Sequence, residues 1–186
     1  AVGAGDFPTM LAGSTWDLVV FDLPSSGPSG DWPPALVAWV DGGGRAIHSM
    51  WMADSPAIAP AFEVTLGAGH DSIPFYQWGA SPLYDSPESV PDDFTMIVDV
   101  WGTNGFYLQP VGTAYAAAGF SMAPAMGQAA IVIGNADRTI FNGFLFDDFP
   151  GDVDADTIPD MTELLMNEIS FLLGMSSTTG PCMGLP

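Results

Sequence analysis

WDLVVFDLPSSGPSGDWPPALVAWVDGGGRAIHSM, residues 16–50, reads as strand, loop, helix, glycine stop and strand. Leu18 to Phe21 is an unbroken apolar run, as expected of a strand buried on both faces, with Asp22 at its carboxyl end. Pro24 to Trp32 is a Pro/Ser/Gly loop. From Pro33 to Val40 the pattern turns helical. Pro33 and Pro34 suit a first turn, where no intrahelical N–H is required, and Leu36, Val37 and Val40 share one face. Asp41-Gly42-Gly43-Gly44 ends the helix with residues that tolerate positive φ, and Arg45 to Met50 is the next strand. Two strands joined by a crossover helix make a βαβ unit, whose strands lie parallel with a right-handed crossover. The class expected is α/β.

Upstream, Asp6-Phe7-Pro8 predicts a short helix through Leu11. Downstream, Asp54-Ser55-Pro56 starts a helix to Phe62, and Val64 to Asp71 reads as turn-rich. Ile73 to Trp78 and Met96 to Trp101 read as strands. Between them, Ser81 to Asp93 carries three prolines and four acids and reads as a surface excursion. Gly105 to Val111 and Thr113 to Ala118 are further strands. Ala129 to Ile133, the turn at Asn135 to Arg138 and Thr139 to Phe146 predict an antiparallel hairpin at an edge of the sheet. Met161, Leu164, Leu165, Ile169, Leu172 and Leu173 recur at helical spacing, and Gly174 stops that helix. One domain over 1–174 is expected, with 175–186 as tail or linker.

Charge narrows the partners. The chain of 186 residues has 22 acids against Arg45 and Arg138, with no lysine, for a net charge of −20. Without a basic patch there is nothing to displace the counterions of nucleic acid, and anionic membranes are disfavoured for the same reason. Hydrophobic residues make up 48%, which supports a packed core. No apolar run reaches membrane-span length and none resembles a signal peptide. Cys182 is the single cysteine, so no intrachain disulfide forms. Acidity, the lack of lysine and the loop described next lean toward an extracellular or cell-surface setting.

That loop is Asp152-Val153-Asp154-Ala155-Asp156-Thr157-Ile158-Pro159-Asp160-Met161-Thr162-Glu163. Acids at positions 1, 3, 5, 9 and 12, with a helix beginning at the end, are the spacing of a calcium loop. The expected ligands are the side chains of Asp152, Asp154 and Asp156, the carbonyl of Ile158, Asp160 directly or through water, and both oxygens of Glu163. Thr157 stands where such loops place glycine for a sharp turn. With Asp147 and Asp148, seven acids fall between residues 147 and 163 with no base among them. Their repulsion favours a cation, and the ligand number favours calcium over magnesium.

Four segments together carry a family pattern: Asp6-Phe7 with Trp16 to Val20, Trp39-Val40 with Gly42 to Arg45, Thr139 to Phe146, and Asn167-Glu168-Ile169 with Phe171 to Leu173. In this order they resemble the class I glutamine amidotransferase-like fold, in a non-catalytic branch of large secreted or surface proteins. The resemblance implies a three-layer sandwich with a mainly parallel, flavodoxin-like sheet. It also implies a strand and helix ahead of the Asp6–Val20 segment, so the first strand is expected to be missing or supplied by another chain or a second copy.

An amidotransferase needs a cysteine on a sharp turn after a strand. The matching strand, Arg45 to Met50, runs into Trp51-Met52-Ala53 instead. Ser49, His70 and Asp71 could be combined as a triad, with His48 as another base, but no G-x-S-x-G turn exposes the serine. His48 in an apolar strand reads as core. Adjacent acids such as Asp92 and Asp93 do not span a cleft as a glycosidase pair must. Gly42 to Gly44 closes a helix and lacks phosphate-loop spacing. Trp32, Trp39, Trp51, Trp78, Trp101 and Tyr107 offer either core packing or a sugar-stacking surface. The function expected is a non-enzymatic, secreted or surface-displayed structural or adhesion domain stabilised by calcium, within a larger assembly or filament. The alternative is a glycan-binding module or degenerate hydrolase.

Overall fold

A computed structural model describes residues 3, 5–23, 31–51, 55–98 and 105–175. Two separate apolar clusters lie on opposite faces of one mixed sheet. The βαβ unit forms as expected. Strand β1 (Val19–Leu23) leads to helix α2 (Trp32–Asp41), which follows the short α1 (Phe7–Gly13), and then to β2 (Ala46–Met50). The strands are parallel, with Val19 opposite Ala46 and Asp22 opposite Ser49. In α2, Trp32, Leu36 and Val40 are buried at four-residue spacing. Each large apolar side chain so buried stabilises the fold by about 1.5–3 kcal/mol. At the helix end, Gly42 and Gly44 donate their N–H groups to the Ala38 and Trp39 carbonyls, at 3.0 and 2.9 Å. Gly44 is needed there because a Cβ would lie 2.2 Å from the Trp39 ring.

The chain continues through α3 (Ser55–Ile58) and a 3-10 turn (Ala59–Phe62) into β3 (Val64–His70), β4 (Phe75–Gln77) and β5 (Asp93–Phe94). Then come β6 (Gly105–Pro110), β7 (Tyr115–Gly119), β8 (Ala129–Gly134), β9 (Thr139–Asn142) and α4 (Asp160–Leu173). Strand order is β1-β2-β9-β8-β7-β4-β5, while β6 pairs with both β3 and β8. Helices α1 and α2 cover one face, where Phe7, Phe21, Trp32 and Leu36 belong to one cluster; α4 covers the other with Leu164 and Leu172.

The α/β sandwich forms, and its details differ from the sequence expectation in five places. Residues 64–70, read as turns, are strand β3; Gly67 hides the pattern and sits close to Tyr107, where the pairing with β6 shifts register. The region 81–93 is partly core, because Leu83, Tyr84 and Val90 are buried despite the surrounding prolines and acids. Met96 to Val98 is not strand; β5 at Asp93–Phe94 occupies the place beside β4. The remainder of the Met96–Trp101 reading lies outside the described residues, as do Met52 and Ala53 and the tail from 176. The β8–β9 hairpin is central instead of at an edge, because β9 pairs parallel with β2 through Ser49 opposite Asn142. Parallel pairing is confined to β1, β2 and β9, and the other pairings are antiparallel.

Candidate metal centre

The acidic loop leaves the sheet after a 3-10 turn at Phe146–Asp148 and runs into the first turn of α4. Oxygens from Asp152, Asp154 and Asp156 all lie within 4.8 Å of one another, and all three side chains are exposed. The backbone folds around these carboxylates. Asp154 Oδ1 accepts the Asp156 N–H at 3.2 Å, Asp156 Oδ1 the Ile158 N–H at 2.7 Å, and Asp152 Oδ2 the Thr157 N–H at 3.2 Å. Each aspartate thus closes a short turn through its own side chain. Two of these residues take left-handed backbone, Ala155 at φ 60° and Thr157 at φ 89°. Thr157 stands at the expected glycine position and adopts a positive φ there, which costs a β-branched residue on the order of 1–3 kcal/mol.

Asp160 and Glu163, in the first turn of α4, are buried and fall outside that three-aspartate group. Asp160 Oδ1 accepts the Val153 N–H at 3.1 Å, and the Asp160 N–H donates to the Gly151 carbonyl at 2.9 Å. Gly151 makes room for this carboxylate, since a Cβ would lie 2.8 Å from Asp160 Oδ2. Burial raises the Asp160 carboxyl; the Val153 N–H works against that rise, and Asp152, Asp154 and Asp156 add to it. Glu163 is 1% exposed, and its Oε2 has no hydrogen-bond partner among the described residues. Desolvation first, then Asp154, Asp156, Asp160 and Glu88, push its carboxyl up to about 7. A buried carboxyl oxygen facing other acids with no donor is costly, and a hard divalent cation would supply the missing charge and coordination. Of the predicted ligands, three aspartates form the cluster itself, two acids of α4 back it, and Ile158 is tied in through its N–H.

A second polar group was not foreseen from spacing. Asp22, Ser49 and Asn142 stand in one row across β1, β2 and β9. Glu168 of α4 lies over this row, accepting the Asn142 Nδ2–H at 3.2 Å. Ser49, Asn142 and Glu168 are buried, while Asp22 is exposed at the row's end. Burial drives Glu168 up to about 8; the Asn142 amide opposes the rise and Asp22 adds to it. Partial desolvation and then Asp147 push Asp22 up to about 6. The signals available in sequence were Asp22 at a strand's carboxyl end and the Asn167-Glu168 pair on an otherwise apolar helix.

The triad candidates are directed to other partners. Ser49 is buried and its hydroxyl donates to the Phe144 carbonyl at 2.9 Å. His48 faces Phe21, Phe62 and Phe141 on the opposite side of the sheet, and burial lowers its pKa to about 3. His70 Nδ1 lies 2.6 Å from the Asp71 carbonyl oxygen, and the ring packs on Tyr107 and Phe120. Among the tryptophans, Trp32 stacks on Phe21 in the core, Trp39 donates to the Arg45 carbonyl, and Trp78 donates to the Ser121 carbonyl. Trp101 lies outside the described residues. Trp16 and Trp39 line a shallow groove of about 330 Å³ with Asp17, Arg45 and Gly42 to Gly44, at the amino ends of β1 and β2.

No protein-family model matches this chain, and no curated protein matches its sequence. Among solved structures, the fold is similar to a protein described as a GMP synthase subunit from Thermoplasma acidophilum, with TM-score 0.56 and 11% identity over 93% of this chain and 80% of that one. It is also similar to the mmIFT52 N-terminal domain, with TM-score 0.51 and 11% identity over 96% and 82%. At this identity the likeness shows the fold alone, and the first of the two agrees with the amidotransferase-like architecture that the sequence resembles.

Proposed function

We propose that this chain is a non-catalytic, secreted or surface-displayed α/β domain with a structural or adhesive role, fastened by calcium at residues 152–163. One observation carries the reading: Glu163 is buried, has an oxygen without a hydrogen-bond partner, and is raised by desolvation first and then by the charges of Asp154 and Asp156. The exposed aspartate cluster alone would be an ordinary acidic loop. Together with the buried Glu163 at the first turn of α4 it would offer a cation oxygens from both the loop and the helix. Calcium held there would bring the loop and the first turn of α4 together, and so set where the helix begins. A single loop of this kind would act as a clamp, because among the described residues no second such cluster is paired with it to drive an opening motion.

The test is a thermal melt of the full chain in calcium and in chelator, with Glu163→Gln beside it. A midpoint raised by calcium in the parent chain and not in the variant supports the clamp. Identical midpoints in calcium and in chelator would sink it.

A glycan-binding reading is favoured by the groove at Trp16 and Trp39, where Trp16 is 41% exposed. Aromatic faces beside polar groups suit sugar rings. A glycan array with hits lost in Trp16→Ala would support it, and an array without hits would remove it.

A further inference from the structure

We propose that the outer edge of β1 is the docking site for an extended, lysine- or arginine-bearing segment of another polypeptide, which joins the sheet as an additional strand. The Val19 N–H donates to the Arg45 carbonyl, and the Leu23 carbonyl accepts the Trp51 N–H. Odd-numbered residues of β1 therefore bond toward β2. With a period of two, the N–H and C=O groups of Val20 and Asp22 point the opposite way. No strand of the described residues lies on that side. A row of such groups templates another strand unless proline, lysine or a bulge guards it. Val-Val-Phe-Asp-Leu has no proline or lysine, and its pairing with β2 is unbroken. Its β-branched and aromatic residues suit a strand environment.

A groove of about 530 Å³ runs along this edge, lined by every residue of β1 together with Trp16, Leu18 and the α1 residues Phe7, Met10 and Leu11. Met10 and Val20 are 42% and 40% exposed, large values for apolar side chains beside an open edge. Phe7 packs edge-on against Phe21 at 5.2 Å, which fixes α1 as the groove's wall. An added strand would set alternate side chains against Phe7, Met10 and Leu11, while its backbone bonds to Val20 and Asp22.

Charge selects the occupant. Asp17 and Asp22 flank the edge, no basic residue lines the groove, and the chain carries −20 overall. A second copy would bring the same charge and another Asp22, so self-pairing is opposed. A foreign segment with apolar residues at alternate positions and a cation beside Asp22 satisfies both the groove and the field.

The probe is an amidated eight-residue peptide alternating valine with lysine and threonine, compared with its glutamate-for-lysine counterpart. Binding to the full chain is followed by tryptophan fluorescence and amide hydrogen exchange. The lysine peptide is expected to slow exchange at Val20 and Asp22 and to bind at least tenfold more tightly than the glutamate peptide, with the margin shrinking as salt is raised. Val20→Pro removes an outward N–H and no internal bond, so the melting midpoint should hold while binding falls at least tenfold. Asp22→Lys should reverse the preference between the two peptides, and it carries the test should the proline variant fail to fold. Absence of binding, binding without protection at Val20 and Asp22, or binding unchanged in these variants would overturn the proposal. A dimer in sedimentation that Val20→Pro dissolves would overturn it too, in favour of a second copy.

Discussion

Glu163 and Glu168 stand little more than one turn apart on α4, and both are buried and raised. Their surroundings differ in kind. Glu163 faces acids of its own loop, with Glu88 from a distant segment, and has an oxygen with no donor among the described residues. Glu168 faces a polar row assembled from three strands and accepts a hydrogen bond from Asn142. On the calcium reading the first carboxyl would be ionised against a cation, whereas burial holds the second toward its protonated form in the core. Burial alone does not decide what a carboxyl does; the groups that face it do.

The widest separation between the two should come from calcium. On the clamp reading, calcium at about 100 times its Kd adds about 2.7 kcal/mol, which for a chain of this size raises the midpoint by roughly 5–10 °C. Glu163→Gln should abolish that response, and Glu168→Gln should preserve it. A loss of the response in Glu168→Gln would break the distinction.

Next in size is Asn142→Ala, which takes away the donor to Glu168. It should destabilise by about 1–3 kcal/mol in urea denaturation while leaving the calcium response intact. Unchanged stability would mean the buried amide contributes nothing net.

The pH dependence of Glu168 follows from the sign of its shift. Its pKa is raised in the folded chain from 4.5 to about 8, so its contribution is complete below 4.5 and is lost as pH rises toward 8. The slope in that window is at most about 1.4 kcal/mol per pH unit. Glu168→Gln should lessen it, leaving the share that Glu163 and Asp22 contribute with the same sign, measured as denaturation midpoints across pH in chelator. A parent chain with no such slope would place Glu168 in a more polar setting than its burial indicates.

The smallest effect is expected at Thr157, whose φ of 89° suits glycine. Thr157→Gly should stabilise the loop by about 1 kcal/mol, seen as a higher midpoint in chelator. A lower midpoint would show that the gain in unfolded-chain entropy outweighs the strain.

The two sites differ in legibility for the same reason that they differ in chemistry. The loop's candidate ligands lie within one short window, so their spacing reported the cluster before any fold was known. Thr157, which departs from the glycine pattern, nevertheless takes the positive φ that the position requires. The row of Asp22, Ser49 and Asn142 has no sequence spacing to read, because strand register aligns it. Ser49 was visible as a hydroxyl in an apolar strand; that it donates to Phe144 was not. Strand β3 was obscured by its glycines, and the hairpin's central place depended on a long-range pairing with β2.

Sequence by itself determined the βαβ unit, the amphipathic α4 and the acidic loop, because hydrophobic period, glycine stops and ligand spacing act over neighbouring residues. Tertiary structure alone decided that β9 lies beside β2, that Glu163 and Glu168 are both buried with different company, and that β1 has one strand neighbour among the described residues. Those outcomes depend on which distant segments share the sheet and the core, a choice made by packing the whole chain at once.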